Sequence, residues 1–319
     1  MEHVINSECV IRNSELKKIR IGTRKSKLAL WQANFIASTL SNEYPNINVE
    51  LVYITTKGDK ILDSPLSKIG GKGLFTKELE IQMLEGNIDL AVHSLKDVPA
   101  QLPPEFIISA VTKRAEPFDA FVSNKYKSFE ELPKGAVIGT SSLRRRAQLL
   151  SIRSDLKIEN LRGNVDTRLK KLDEGNFDAI ILAAAGLKRL GYENRINKIL
   201  PPEIMLPAVG QGAIAVETLT DNVEIRGILQ FIDDKNTRSV TLAERAFLRI
   251  VEGGCQVPIG VFANIEGNKI TVEAIIASID GQKIIRDKMI GAVEEAEVLG
   301  KSLADKLLNL GGREILFNN

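Results

Sequence analysis

The sequence predicts an α/β protein with two related lobes built on mixed, mainly parallel sheets, followed by a small C-terminal α+β domain. Three observations support this fold class. Strand and helix patterns alternate along much of the chain, one short pattern occurs twice, and a different strand and helix pattern follows from about residue 233. Alternation of this kind favours parallel strands, because a crossover helix joins one parallel strand to the next.

The first lobe begins with a strand, a helix and a second strand. Residues 18–23 alternate like a strand, and the apolar residues that follow recur at helical spacing. The helix face predicted to be buried comprises Leu28, Trp31, Phe35, Ile36 and Leu40. Further elements are predicted as a strand at 48–55, a helix at 75–84 and a strand at 89–93.

The second lobe is predicted from a repeat. Residues 137–140 (VIGT) resemble residues 21–23 (IGT), and both 85–87 and 174–176 read EGN before an apolar segment. Glycine commonly follows the last residue of a helix. Each EGN therefore predicts the end of a helix and the start of a buried strand.

Two such lobes are the architecture of periplasmic-type binding proteins, in which ligands lie outside the carboxyl ends of parallel strands, and we expect the site between the lobes. A strand predicted at 210–216 returns the chain to the first lobe, and a strand at 269–276 and a helix at 292–310 belong to the last domain. The predicted parts are an N-terminal extension (1–18), a first lobe (19–112 and 208–231), a second lobe (113–207) and a C-terminal domain (232–319).

Composition argues against several classes of protein. The net charge is +2 from 43 basic and 41 acidic residues, which leaves no broad electrostatic surface for nucleic acid or anionic membranes. The longest apolar run, 179–187, is far shorter than the roughly 20 residues of a membrane-spanning helix, and residues 1–18 lack the apolar core of a secretory signal. Two cysteines and two histidines predict neither a disulfide framework nor a metal site. We expect a cytoplasmic protein.

Basic residues follow three predicted strands. Residues 140–146 (TSSLRRR) open a helix, so hydroxyls, backbone N–H groups and guanidinium groups meet there. Similar segments are 23–27 (TRKSK) and 162–168 (RGNVDTR). Guanidinium groups suit carboxylates as well as phosphates, and no Walker-type loop indicates a nucleotide. A solvated basic helix face is the alternative interpretation.

Two further segments carry candidate chemistry. Residues 93–99 (HSLKDVP) place Asp97 after an apolar strand as an acid/base candidate, although a turn-capping role is the alternative, and His93 is expected to satisfy hydrogen bonds at the strand end. Cys255 follows two glycines, where the backbone leaves room for a bulky group, although a small buried thiol is the alternative. Residues 57–73, rich in glycine and lysine, are predicted to form a mobile lid or an inert surface loop.

Taken together, these segments resemble the porphobilinogen deaminase family from about Ile19 onward. The decisive matches are AVHSLKDVP (91–99), GTSSLRR (139–145) and GGCQVPIG (253–260), and residues 182–191 and 206–212 are similar in the same order. The resemblance implies a dipyrromethane cofactor held by a thioether to Cys255. It also implies that porphobilinogen, a small acidic pyrrole, is deaminated and polymerised on this cofactor by a monomeric enzyme.

The resemblance carries over to individual residues. Asp97 resembles the family's catalytic carboxylate and also a cofactor-binding position. The other positions that resemble cofactor-binding residues are Lys96, Ser142, Arg144, Arg145, Arg162 and Arg168. The positions that resemble substrate-binding residues, the last three in the lid and at its root, are Arg24, Ser26, Thr140, Arg189, Gln211, Lys68, Lys72 and Phe75. The N-terminal extension and Arg146 depart from the family pattern.

Two other classes of protein compete with this interpretation. A non-catalytic two-lobed binding protein for a carboxylated ligand explains the lobes and the basic segments, but not the Gly-Gly-Cys turn or the last domain. A DNA-binding regulator requires a helix-turn-helix segment and a basic face, and the sequence shows neither.

Overall fold

The computed structural model describes residues 16–60, 73–251 and 258–317. The strands are β1 (Lys18–Thr23), β2 (Asn48–Tyr53), β3 (Leu90–Ser94), β4 (Phe106–Val111), β5 (Asp119–Val122), β6 (Val137–Gly139), β7 (Lys157–Glu159), β8 (Ala179–Ala183), β9 (Lys198–Ile199), β10 (Ile214–Leu219), β11 (Ile259–Glu266), β12 (Lys269–Ala277) and β13 (Ile284–Ala292). The α-helices are α1 (Lys27–Glu43), α2 (Lys57–Lys60), α3 (Lys77–Leu84), α4 (Leu143–Ile152), α5 (Val165–Asp173), α6 (Ala184–Arg189), α7 (Val223–Leu229), α8 (Lys235–Val251), α9 (Ala296–Leu307) and α10 (Arg313–Phe317). Across these described ranges, no helix has the length and apolar character that a membrane span needs.

The described residues fall into two compact units. The first unit contains 16–60, 73–114 and 213–238, and the second contains 115–212, 239–251 and 258–317. The second unit thus holds both a five-stranded sheet and the C-terminal sheet. The finer division of the chain at residues 207 and 232 stays a prediction.

The first sheet, in the first unit, is mixed. Its strand order is β2-β1-β3-β10-β4, with β1 parallel to β2 and β3 and with β10 antiparallel to β3 and β4. Side chains from β1, β3 and β10 pack against α1 and α7 in one apolar cluster. The carboxyl ends of β1 and β3 therefore lie at the same edge of this sheet.

The helix predicted after the first strand is confirmed as α1, but the prediction of its buried face was partly wrong. Ala33, Ile36 and Leu40 are fully buried, whereas Trp31 is 38% exposed and Phe35 is 42% exposed. The Trp31 and Phe35 rings stack on each other at the surface, with centroids 5.6 Å apart. Two apolar stripes overlap on this helix, and packing against the sheet selects the one with small and branched side chains.

The second sheet, in the second unit, repeats the plan of the first. Its order is β7-β6-β8-β5-β9, with β6 parallel to β7 and β8 and with β5 antiparallel to β8 and β9. The glycines of the two EGN segments, Gly86 and Gly175, have φ values of +69° and +81° and end the helices before β3 and β8. The predicted repeat is confirmed.

One aspartate aligns the strands in each copy of this repeat. Asp89, just before β3, accepts a hydrogen bond from the Arg20 backbone nitrogen of β1 at 2.7 Å. Asp178, just before β8, accepts one from the Val137 backbone nitrogen of β6 at 2.9 Å. Each carboxylate thus links the turn before its own strand to the backbone of the neighbouring parallel strand. This link helps to fix the register of the two strands.

Several predicted boundaries differ from the observed ones. The strand predicted at 210–216 begins only at Ile214, because Gly210 and Gly212 have φ values of +70° and +94°, which end extended structure. The helix predicted at 292–310 is shorter, because β13 runs to Ala292 before α9 begins at Ala296. The strand predicted at 18–23 matches β1, whereas the elements predicted at 48–55, 75–84 and 89–93 differ from β2, α3 and β3 by one or two residues at one or both ends.

The third sheet is C-terminal and antiparallel, with the order β11-β12-β13. Helices α8 and α9 cover one of its faces in a single apolar cluster. The two helices approach closely at Gly300, where an added Cβ would lie 2.1 Å from the Ala243 carbonyl oxygen and 3.1 Å from the Ala246 Cβ. The absence of a side chain at Gly300 therefore permits this helix packing.

We expect Gly300→Ala to lower the free energy of unfolding by about 1–3 kcal/mol, because the added methyl group forces the two helices apart. Alanine in place of glycine otherwise stabilises a helix interior by up to about 1 kcal/mol. The sign of the change in the free energy of unfolding therefore shows whether helix packing or helix propensity dominates. Urea unfolding followed by circular dichroism measures the change, with Lys301→Ala on the exposed side of α9 as the control. A stabilised Gly300→Ala variant would contradict the close packing.

Candidate active site

The first unit has a cavity at the carboxyl ends of β1 and β3. Four of the residues predicted from the sequence line it together: Arg24, Ser26, Phe75 and Asp97. His93 lines the same cavity, and its hydrogen bond to Glu217 confirms the role expected for it at the strand end. The cavity thus combines a cation, a hydroxyl, an aromatic ring and a carboxylate.

Arg24 is held beside the cavity by Phe75. The Arg24 guanidinium carbon lies 4.1 Å from the centroid of the Phe75 ring, in a cation–π contact. The ring packs on backbone at Gly58, where an added Cβ would lie 2.1 Å from a ring carbon. Phe75 therefore orients the Arg24 guanidinium group, a type of group that suits anions.

Ser26 and Asp97 reach the cavity from the turns that follow their strands. Ser26 caps α1, and its hydroxyl accepts a hydrogen bond from the Ala29 backbone nitrogen at 3.3 Å. Asp97 ends a short 3-10 turn that is anchored by the buried side chain of Leu95. Lys96 and Asp97 are themselves exposed.

The second unit gathers a second group of predicted residues around Asp119, which is fully buried at the start of β5. Arg144 donates from Nη1 to Asp119 Oδ2 at 2.8 Å, and Arg145 donates from Nη2 to Asp119 Oδ1 at 2.7 Å. The Gln211 side-chain amide donates to the same carboxylate at 3.0 Å. Ser142 caps α4, the helix that carries both arginines.

The two guanidinium groups keep Asp119 ionised. Burial by itself would raise the pKa of Asp119, but the charges of Arg144 and Arg145 and their hydrogen bonds hold it well below its ordinary value. Sequence analysis missed Asp119. An aspartate at the start of the otherwise apolar strand Asp119–Val122 indicates a buried carboxylate that needs a cationic partner. The run of arginines at the start of α4 could have supplied that cation.

The structure also shows the surroundings of the other predicted residues of the second unit. Arg168 donates to the Gly163 carbonyl oxygen at 2.8 Å, and Arg189 donates to the Gly212 carbonyl oxygen at 2.7 Å. Burial lowers the pKa of Arg189 to about 10. Arg162 is half-buried after Leu161, and Thr140 is buried and accepts from the Ser142 backbone nitrogen at 3.2 Å.

Four features of the sequence fall elsewhere. Cys255, Lys68 and Lys72 lie outside the described residues, so their roles stay predictions. Arg146, which departs from the family pattern, lines another cavity, of about 400 Å³, together with residues of the turn at 278–283.

The fold and these sites define a class of protein, an α/β protein with two related sheets and cationic side chains grouped around strand ends. Comparison with known families agrees over nearly the whole described chain. Residues 19–227 match the family described as porphobilinogen deaminase, dipyromethane cofactor binding domain, and residues 238–309 match porphobilinogen deaminase, C-terminal domain. The chain belongs to the porphobilinogen deaminase family, the transferases of tetrapyrrole biosynthesis that use a dipyrromethane cofactor.

Several solved structures are distantly similar to this chain. A putative methionine-binding lipoprotein from Bacillus subtilis has 10% identity and a TM-score of 0.42, with 69% of this chain and 92% of that chain covered. The methionine-binding protein MetQ has 16% identity and a TM-score of 0.41, with 67% and 89% covered. The periplasmic aliphatic sulphonate binding protein SsuA from Escherichia coli has 15% identity and a TM-score of 0.37, with 73% and 70% covered.

We expect Asp119→Ala to lower the free energy of unfolding by about 3–5 kcal/mol at neutral pH, because it leaves two buried guanidinium groups without their counter-charge. The folded pKa of Asp119 lies below the ordinary value of about 3.9, so its stabilisation is complete above that pH and is lost as the pH falls further. Urea unfolding at pH 7 and at several acidic pH values measures both effects.

The matched control is Glu130→Ala. Glu130 also pairs with a cation, Lys198, at 3.2 Å, but the two side chains are 55% and 44% exposed. Removing this surface pair is expected to change stability by at most about 1 kcal/mol. Equal effects of the two substitutions would show that the Asp119 cluster contributes no more than a surface ion pair.

Proposed function

We propose that this protein is a hydroxymethylbilane synthase. It deaminates four porphobilinogen molecules, joins them head to tail onto a covalently bound dipyrromethane primer, and releases linear hydroxymethylbilane. The observation that carries this proposal is the cavity of the first unit, where Asp97 meets Arg24 and Ser26 at the ends of two parallel strands. Membership of the family supports the same reaction.

The donor set suits the cofactor and the substrate. Each pyrrole ring carries an acetate and a propionate, and planar guanidinium groups bind such carboxylates in pairs of hydrogen bonds. We assign the cofactor carboxylates to Arg144, Arg145, Arg162 and Arg168, with Lys96 and Ser142 as further donors, and the covalent link to Cys255. When bound, the cofactor supplies the pyrrole carbon to which the first substrate is joined.

Arg144 and Arg145 have two roles in this proposal. A guanidinium group has five N–H donors, and Asp119 takes one from Arg144 and two from Arg145. The buried carboxylate thereby fixes the orientation of both side chains before any ligand arrives. Groups held in this way lose little conformational entropy when they bind a carboxylate.

Asp97 is the proposed acid and base. Loss of ammonia from porphobilinogen leaves a cationic pyrrole, and an ionised carboxylate beside the ring nitrogen stabilises that charge. In its protonated form the same group can donate a proton to the leaving amine. The buried Leu95 keeps the turn that carries Asp97 in place while the side chain stays open to the cavity.

The remaining predicted residues are assigned to the substrate: Arg24, Ser26, Thr140, Arg189, Gln211, Lys68, Lys72 and Phe75. Among these, Arg24 has the clearest support, since Phe75 holds it at the cavity wall. We further propose that the enzyme acts as a monomer in the cytoplasm. The competing function, a binding protein for a carboxylated ligand, needs neither a covalent cofactor nor Asp97.

We expect the purified protein to have a mass excess of two pyrrole units on the peptide that contains Cys255. Intact mass spectrometry followed by peptide mapping measures it. Cys255→Ser is expected to abolish the excess, whereas Cys9→Ser, at the other cysteine of the chain, is expected to retain it. An unmodified Cys255 in protein produced with ample porphobilinogen would favour the binding-protein function.

We expect Asp97→Asn to lower kcat by about 10²–10⁴-fold while KM changes by less than about threefold, because the loss falls on proton transfer and charge stabilisation in the transition state. Steady-state formation of hydroxymethylbilane measures both constants. Asp221→Asn replaces an exposed acid of the same unit outside the cavity and should leave both unchanged. A variant at Asp97 with wild-type kcat would remove this residue from the mechanism.

A further inference from the structure

The mechanism above leaves one buried pair of ionisable groups unused. His93 on β3 and Glu217 on β10 lie diagonally across neighbouring antiparallel strands, since His93 is opposite Ala215. His93 Nε2 lies 2.9 Å from Glu217 Oε2, and the two side chains are 5% and 0% exposed. A charged or chargeable pair this deeply buried is expensive to desolvate, so a neutral hydrogen-bonding pair would serve a purely structural purpose better.

His93 connects this buried carboxylate to the cavity. His93 lines the same cavity as Arg24, Ser26 and Asp97, while its Nε2 atom is directed to Glu217. A carboxylate on one ring nitrogen fixes the tautomer and the orientation of an imidazole. It also stabilises the imidazolium that forms when the ring accepts a proton, as the buried aspartate of a serine protease does for its histidine.

Within the described residues, the buried carboxylate of Glu217 is only partly hydrogen-bonded. Glu217 Oε1 is buried and has no hydrogen-bond partner among the described residues, and an unsatisfied buried carboxylate oxygen costs free energy. Glu80 on α3 lies close enough to interact electrostatically with both groups. Burial raises the pKa of Glu80, and the negative charge of Glu217 raises it further, so Glu80 more readily holds a proton.

The proposed reaction includes a proton transfer that a second group can carry out. When two pyrroles join, the ring carbon that forms the new C–C bond loses its proton, and the electron pair of the broken C–H bond restores the aromatic ring. At that moment Asp97 serves best as an ionised group beside the cationic ring. A separate base relieves Asp97 of accepting this proton.

We propose that His93, oriented by Glu217, accepts the proton that leaves the pyrrole carbon after each coupling. This inference rests on the proposed function. The proton passes from carbon to His93 and then to the ammonia released from porphobilinogen, so each cycle converts one substrate ammonium into one free ammonium ion. No oxidant or further co-reactant is required.

The test compares His93→Gln and Glu217→Gln with the wild type, using porphobilinogen that carries deuterium or hydrogen at its unsubstituted ring carbon. We expect His93→Gln to lower kcat by about 100-fold or more with a KM change of less than about threefold. The deuterium isotope effect on kcat should rise, because C–H cleavage becomes the slow step. Glu217→Gln keeps a hydrogen-bond acceptor. It should therefore also lower kcat and raise the isotope effect, but by less than His93→Gln.

Thr218→Val is the matched control. Thr218 is the neighbour of Glu217 in β10, is fully buried, and its hydroxyl hydrogen-bonds the Ser109 hydroxyl at 2.6 Å. The Thr218→Val substitution removes a buried hydrogen bond of the same strand and leaves the His93–Glu217 pair intact. The isotope effect should therefore stay at the wild-type value. Intact mass confirms that each variant carries the same covalent group as the wild type before kinetics are measured.

The outcomes separate this inference from the proposed function. A lower kcat in His93→Gln with an unchanged isotope effect would reduce the pair to a structural role, because general loss of packing does not make C–H cleavage slower than the other steps. Wild-type kcat in both variants would also overturn the inference that His93 accepts this proton. If the wild type itself forms no hydroxymethylbilane, the proposed function fails, and the inference fails with it.

Discussion

A buried negative charge at Asp119 holds several elements of the second unit together. Asp119 begins β5 and accepts hydrogen bonds from Arg144 and Arg145 at the start of α4. Arg144 also donates to the Leu206 carbonyl oxygen and Arg145 to that of Ile181. Three charges in a low-dielectric interior are tolerated only when each is paired and hydrogen-bonded. This requirement fixes where the helix, two strands of the second sheet and the chain at Leu206 meet.

The first unit also has charged groups at its strand ends, but these groups are accessible. Its candidate groups stay at the surface of a cavity, where Arg24 rests on Phe75 and Asp97 is carried by a turn anchored at Leu95. Exposed groups of this kind can exchange protons and ligands. The same repeated fold thus carries a buried cationic cluster in one copy and an exposed carboxylate beside a cavity in the other.

The sequence predicted the repeated plan well, because its signals are local. Each EGN segment ends a helix through a glycine with positive φ, and each is followed by an aspartate that hydrogen-bonds the neighbouring strand. Side chains beside each parallel strand end were likewise predictable, since Asp97, Arg24 and Arg144 follow apolar strands directly in the chain. The prediction was less accurate at 210–216, where two glycines interrupt a pattern that otherwise resembles a strand.

The sequence by itself therefore determined the fold class, the repeat, the family resemblance and the candidates at strand ends, because short-range periodicity and motifs encode these. Only the tertiary structure decided which residues share a site. Asp119 and Arg144 are 25 residues apart, and His93 and Glu217 are 124 apart. Their contacts depend on strand order and register, which no local pattern specifies. For the same reason the sequence could not show that Trp31 and Phe35 lie at the surface, since packing against the sheet chose the other face of α1.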